Sequence, residues 1–327
     1  MAQSKDLKKR VFEVDDSSFD ELALDIFYYQ YFNNPIYRRF VDYLGKDVSR
    51  IERIEDIPFL PIDFFKKHRL ISTEADDFEL FESSGTTGSI SSKHWVSDTN
   101  FYNGLSVKLF EEQYGDLNDF VVLALLPSYL ERSTSSLVFM MKNFIEKSND
   151  PRSGFYLDNV DELILQLKEL RKTDKKVLLV GVTFALLDLA EKVNLDLSHV
   201  VVMETGGMKG RRKEMIREEI HQLLKSSFNV SNIHSEYGMT ELLSQSYSLG
   251  QGVFVPAKSM KVLIREPQDP FNLNYKRAGG VNVVDLANVD SCSFIATQDI
   301  GLTVTNGFEI LGRMDNSDIR GCNLMVV

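Results

Sequence analysis

Between Asp98 and Ser235 the chain alternates short apolar runs with longer amphipathic stretches, and this alternation restricts the fold more than any other feature. Helical patterns are expected over Asp98 to Gln113, Ser135 to Lys147, Asp158 to Lys172, Thr183 to Lys192 and Arg211 to Lys225. Between them lie strand-like runs at Phe120 to Leu126, Val177 to Val180, His199 to Met203 and Val230 to Ser235. A run with no polar face suits a strand covered on both sides, and intervening helices are the crossovers that parallel neighbours require. An α/β fold built on parallel βαβ units is therefore expected.

The flanks read differently. Residues Phe19 to Leu44 carry an aromatic-rich helical pattern interrupted at Asn33-Asn34-Pro35, where proline restricts the residue before it. From about Val253 to Val304 the chain shifts to short Val-rich runs separated by Pro, Asn and Gly, the signature of a small antiparallel or barrel-like subdomain. The expected division is a helical cap over 1–75 integral to the domain, an α/β core over 76–250, and a β-rich subdomain with a hinge-like tail over 251–327.

With 327 residues, 43% of them hydrophobic, the chain can bury a substantial core. Its net charge of -11 and short basic clusters, Lys8-Lys9-Arg10 and the stretch from Lys209 to Lys213, argue against a nucleic-acid partner. Two cysteines, Cys292 and Cys322, make no disulfide framework and no zinc spacing. No run approaches a membrane span and the N-terminus has no apolar signal region, so a cytoplasmic location is expected. The five histidines, His68, His94, His199, His221 and His234, are scattered and are given structural rather than catalytic roles.

Ser83-Ser84-Gly85-Thr86-Thr87-Gly88 is the stretch richest in chemistry. Small residues let successive amide N–H groups turn into one concavity, and four hydroxyls add donors around it, so an anion such as phosphate is the natural occupant. The alternative is a flexible Ser/Gly linker. An apolar run from Ile57 to Phe65 before it and a helical pattern after it place the loop inside a folded unit. Neither the Walker A spacing nor the dinucleotide fingerprint is present.

Further segments follow in a fixed order: Thr205-Gly206-Gly207, Glu236-Tyr237-Gly238-Met239-Thr240-Glu241, Thr297-Gln298-Asp299 and Gly312-Arg313-Met314-Asp315. Together with the Ser/Thr/Gly loop they resemble the core motifs of the adenylate-forming superfamily of acyl-CoA synthetases, luciferases and nonribosomal-peptide adenylation domains. Asn34-Pro35-Ile36-Tyr37, the segments Ile57 to Lys66 and Leu125 to Ser133, and the terminal Ile319-Arg320-Gly321-Cys322 narrow the resemblance to LuxE-type acyl-protein synthetases.

That resemblance implies the N-terminal-domain fold of adenylate-forming enzymes, with parallel sheets, flanking helices and a small β-rich subdomain. It also implies ATP and magnesium. Ser83, Ser84, Gly85, Thr86, Thr87 and Gly88 would cradle the triphosphate, with Ser84, Thr86 and Thr87 as hydroxyl donors. Gly206 and Gly207 would line the purine pocket, and Tyr237, followed by Gly238, would stack on adenine. Thr240 would bond the α-phosphate and Glu241 would hold magnesium. Asp299 would accept from the ribose hydroxyls, Arg313 would add a ribose or phosphate contact, and Asp315 would mark a hinge. Tyr129, Val182 and Thr205 are expected in the acyl pocket. Lys93 is a candidate phosphate contact or a plain surface lysine.

Only twelve residues follow Asp315, so the mobile C-terminal domain of larger relatives, with its catalytic lysine, is expected to be lacking. In the LuxE-type scheme the acyl group moves instead to a cysteine near the C-terminus. Cys322 stands in the matching place, its alternative being a small buried apolar residue; Cys292 is expected to be structural. The favoured activity is formation of acyl-AMP from a carboxylic acid, fatty in the first instance, with transfer through Cys322 to a partner acyl reductase. An acyl- or aryl-CoA ligase using free CoA and a noncatalytic nucleotide-binding module are the alternatives.

Overall fold

The computed structural model describes residues 3–84, 90–127, 134–157, 159–206, 215–273 and 277–314. They divide into two units, Met1–Glu74 with Lys258–Val327, and Ala75–Ala257. The first begins with helices α1 (Ser4–Glu13), α2 (Phe19–Asn33) and α3 (Pro35–Tyr43). The interruption expected at Asn34 is a cap: its side-chain oxygen accepts from the amides of Ile36 and Tyr37, and Pro35 occupies the first helical position, where no N–H is needed. A two-residue strand β1 (Leu60–Pro61) and a short helix α4 (Phe64–Lys67) complete this segment.

The second unit opens with a hairpin, β2 (Glu79–Glu82) and β3 (Lys93–Val96), followed by α5 (Thr99–Tyr114). Then come β4 (Phe120–Leu125), α6 (Ser136–Ser148), β5 (Gly154–Tyr156), α7 (Val160–Glu169), β6 (Lys176–Val182) and α8 (Thr183–Lys192). They are followed by β7 (Val200–Thr205), α9 (Arg217–Phe228), β8 (His234–Tyr237), β9 (Ser246–Ser248) and β10 (Val253–Phe254). The main sheet has the order β5-β4-β6-β7-β8-β9, parallel except for β9. Every residue of β4 is buried, as its unbroken apolar run requires.

The two largest departures from the expected boundaries are at β8 and α9. Strand β8 starts at His234 rather than Val230, because α9 ends on Asn229 in the left-handed conformation (φ 50) and the Val230 amide is spent on the Lys225 carbonyl. Helix α9 starts at Arg217 rather than Arg211, Ile216 being extended.

The first unit resumes with β11 (Met260–Arg265), β12 (Gly279–Asp285), β13 (Phe294–Val304) and β14 (Gly307–Arg313), joined as an antiparallel meander. This fits the Val-rich, turn-punctuated sequence. Strand β1 adds in parallel to β13, with Leu60 opposite Ile295. The N-terminal helices pack within this same unit. The Gln30 amide donates to the Asn288 and Val289 carbonyls, and its oxygen accepts from the Ser293 amide. Asn34 donates to the Ser291 carbonyl, and the Tyr37 ring stacks on Phe294 at 6.2 Å. Burying aromatics of this size is worth about 1.5 to 3 kcal/mol each.

Candidate functional site

Strands β2 and β3 pair antiparallel, and Ser83 and Ser84 follow β2 at the start of the Ser/Thr/Gly segment. Its neck is pinned: the Ser83 amide donates to the Ser92 carbonyl, and the Ser92 amide donates back to the Ser83 hydroxyl at 2.8 Å. Ser83 thus holds the loop's base, while Ser84 is the last residue described before Gly85. Gly85, Thr86, Thr87 and Gly88 lie outside the described residues. Lys93, opposite Glu82 in the hairpin, sits 3.8 Å from the Glu82 carboxylate and is half exposed.

Strand β3 also carries His94, which is buried and pushed down to about 4 by that burial. It is neutral at physiological pH. Its Nδ1 lies 2.9 Å from the Thr240 carbonyl, which can only accept, so that nitrogen carries the proton. The strand leaving the loop is thereby tied to the Tyr237–Glu241 segment, and two of the motifs meet. Nothing in the spacing of His94 announces this; only a buried histidine beside the loop could have drawn attention.

Three other motif positions lie at the carboxyl ends of β6, β7 and β8, where ligands of parallel sheets gather. Val182 closes β6, Thr205 closes β7 and Tyr237 closes β8, and all three are buried. Gly206 adopts φ 75, a backbone that L side chains resist, so the chain turns sharply off β7. Tyr237 packs on Phe254 with ring centroids 5.7 Å apart. At Gly238 a Cβ would stand 2.2 Å from the Glu236 carboxylate, so a larger residue there would push that side chain aside. Thr240 is partly exposed and Glu241 is buried in the turn that follows β8. Among the described residues no three His, Cys, Asp or Glu side chains converge as a metal cage. A magnesium ion carried by a triphosphate needs only one or two carboxylates, a demand that Glu241 alone could meet.

Two carboxylates that the motif reading left without a role flank this edge. Glu204 faces α8 and α9, accepting from the Thr183 hydroxyl at 2.8 Å with the His221 Nε2 at 3.6 Å and the Arg217 Nε at 3.8 Å. Burial pushes its carboxyl up, but His221, Arg217, Ser235 and Thr183 together pull further, leaving it below the ordinary range. Glu236 faces the other side of the sheet, where its carboxylate accepts from the Thr205 hydroxyl. Burial and the nearby Glu204 charge outweigh that hydroxyl and push Glu236 up to about 7. Thr205 and Glu236 also border a small cavity between the sheet and helices α5 and α6, walled by Phe110, Met140, Phe144 and Met203.

In the other unit, Asp299 is buried on β13, opposite Arg313 of β14, whose Nε lies 3.4 Å from its Oδ1. Arg313 itself is largely exposed. Gln298 between the motif residues donates to Asp63 at 3.1 Å. Cys292 is fully buried and its thiol is pushed up to about 12 by burial, an inert state for a nucleophile. Tyr129, Gly207, Asp315, Arg320 and Cys322 lie outside the described residues.

The acyl-protein synthetase LuxE family model matches residues 4–98. The long-chain-fatty-acid–luciferin-component ligase of Vibrio harveyi is 22% identical over 93% of this chain and 85% of its own length. The enzyme of the same name from Aliivibrio fischeri is 22% identical over 96% and 89%. Among solved structures, an open form of 2-hydroxyisobutyryl-CoA ligase with 2-HIB-AMP and CoA superposes with TM-score 0.70 at 12% identity, covering 93% of this chain and 72% of that one. ATP-bound MatB from Rhodopseudomonas palustris gives 0.54 at 17% identity, over 74% and 49%. The chain is similar in sequence to LuxE-type synthetases and has the fold of adenylate-forming ligases, as its motif order implied. No helix among the described residues is long and apolar enough to cross a membrane.

Proposed function

We propose that this protein is an AMP-forming acid ligase. A carboxylate oxygen attacks the α-phosphorus of ATP, the bond to the β-phosphate breaks, and pyrophosphate departs to leave acyl-AMP. The acid is fatty, in keeping with the named activity of the relatives from Vibrio harveyi and Aliivibrio fischeri. The observation that carries this reading is the bond from His94 to Thr240, which brings the base of the Ser/Thr/Gly loop and the Tyr237–Glu241 turn to one sheet edge.

The chemistry joins two anions, so charge neutralisation and alignment matter more than proton transfer. Hydroxyls and amides of Ser84 to Gly88 receive the phosphates, Thr240 bonds the α-phosphate, and Tyr237 with Gly206 and Gly207 forms the purine site. Asp299 accepts from the ribose and Arg313 adds a cation. Magnesium, held by Glu241, would offset phosphate charge. Val182, Tyr129, Thr205 and the apolar cavity beyond Thr205 receive the acyl body. The Cys322 thiolate then attacks the acyl carbon, AMP leaves, and the thioester is handed to a partner acyl reductase.

Carboxylate-dependent exchange of labelled pyrophosphate into ATP, screened over straight-chain and aromatic acids, tests the first step. Exchange requiring magnesium is expected, with Glu241→Gln lowering it roughly ten- to a hundredfold. Binding of ATP with no exchange for any acid would leave a noncatalytic nucleotide module. The second step is tested by an acyl label, removable by neutral hydroxylamine, that is lost in Cys322→Ser and kept in Cys292→Ser. Efficient acyl-CoA formation with no label would favour a CoA ligase.

A further inference from the structure

Arg265 is a buried cation that belongs to none of the motif segments. It ends β11, and its guanidinium donates from Nη1 to the Val281 carbonyl at 2.7 Å and to the Asn282 side-chain oxygen at 2.8 Å, and from Nη2 to the Thr297 carbonyl at 2.6 Å. Those acceptors mark an irregularity. Strands β12 and β13 pair Gly280 with Ile300 and Asn282 with Ala296, so Val281 alone faces Thr297, Gln298 and Asp299. The motif is therefore a β-bulge, a device that re-aims side chains and leaves ladder groups unpaired.

The bulge is closed from within. The Thr297 hydroxyl donates to the Val281 carbonyl at 2.8 Å, and the Asp299 amide donates to the Thr297 hydroxyl at 3.1 Å. Arg265 joins the carbonyls of Val281 and Thr297, one from each strand of the bulge. Room for its guanidinium exists because position 280 is glycine: a Cβ there would lie 2.5 Å from the guanidinium carbon. Burial works against the Arg265 charge, and Asp299 is the carboxylate that favours it.

We infer that Arg265 is a positioning residue, a clamp that holds the Thr297–Asp299 bulge in the shape that presents the Asp299 carboxylate to the nucleotide's ribose. This rests on the ribose assignment of Asp299 made above. A carboxylate accepting from the sugar hydroxyls favours ATP over 2′-deoxy-ATP, by about ten- to a hundredfold for one charged hydrogen bond. A loosened bulge loses that preference before it loses anything else.

The test measures dissociation constants for ATP and 2′-deoxy-ATP, and the exchange rate at saturating ATP, in the wild type, Asp299→Ala, Arg265→Met, the double variant and Gly280→Ala. The expected result is that Asp299→Ala, Arg265→Met and Gly280→Ala each flatten the preference, that the double variant is no flatter than either parent, and that saturated exchange changes less than nucleotide affinity. Should Arg265→Met fail to fold, Gly280→Ala, which keeps the cation and displaces it, decides the matter alone. Wild-type preference retained in the folded clamp variants while Asp299→Ala loses it overturns the role of Arg265 only. A wild type that does not prefer ATP overturns the ribose assignment itself, and the clamp with it.

Discussion

Glu204 and Glu236 stand at the ends of neighbouring strands and face opposite sides of one sheet, yet they end in opposite states. On the α8/α9 side, Glu204 meets two hydroxyls, an imidazole and a guanidinium and is held below the usual carboxylate range. On the α5/α6 side, Glu236 meets one hydroxyl and an apolar wall and is pushed up to about 7. Burial acts on both, so partner supply rather than depth decides the charge. One face of β7 and β8 is built to keep an anion, the other to resist one. The resisting face is the one that borders the proposed acyl cavity.

The comparison breaks most severely if the Glu204 partners are removed. In Arg217→Met/His221→Leu the buried carboxylate loses its cation and imidazole and keeps the Thr183 and Ser235 hydroxyls, and a loss of about 3 kcal/mol in urea unfolding at pH 7 is expected. The sign follows from its lowered pKa: the wild-type contribution is complete above the unfolded value and is lost as pH falls through the lower folded one. The deficit of the double variant should therefore shrink toward pH 4. Equal stability at pH 7 would show that these partners do not govern Glu204.

Glu236→Gln sharpens the contrast with the opposite sign. A carboxyl raised to about 7 from 4.5 makes the wild type most stable below 4.5 and progressively less stable up to pH 7, because the unfolded state ionises first. Since the residue is partly exposed, screening trims the effect, and the glutamine variant should gain about 2 kcal/mol at pH 8 and almost nothing at pH 4. A flat difference across that range would place the carboxyl in bulk solvent. The smallest effect belongs to Thr205→Val, which removes the donor to Glu236 and should raise its titration midpoint by under about one unit, read by carbon-13 NMR of labelled glutamate. An unmoved midpoint would remove Thr205 from the pair.

The parallel sheet was legible because Phe120–Leu125, Lys176–Val182 and Val200–Thr205 are nearly pure apolar runs that only a doubly covered strand explains. The three-residue β5 was not, since Gly154-Phe155-Tyr156 offers no periodicity and acquires its strand character only by pairing with Leu123 to Leu125. The hairpin around the Ser/Thr/Gly loop was hidden for a similar reason: Glu79–Glu82 and Lys93–Val96 are too short and polar to stand out. Of the candidate site, the motif residues at strand ends follow from order and topology. What pins them does not. His94 reaches Thr240 from 146 residues away, and Arg265 reaches Thr297 from 32 away, through tertiary contacts that carry no local pattern.

The pairing of Gln30 with Asn288 spans 258 residues, and it sets a timetable for the chain's birth. At about 5 to 20 residues per second, the helices Phe19–Asn33 and Pro35–Tyr43 leave the ribosome some 13 to 50 seconds before the carbonyls they are shaped to meet. During that interval the rings of Phe27 and Tyr37 and the amides of Gln30 and Asn34 have none of their partners from residues 288–294. Helices made early must wait for strands made late before they reach their native surroundings, so their exposure to chaperones and to premature association is written into the connectivity.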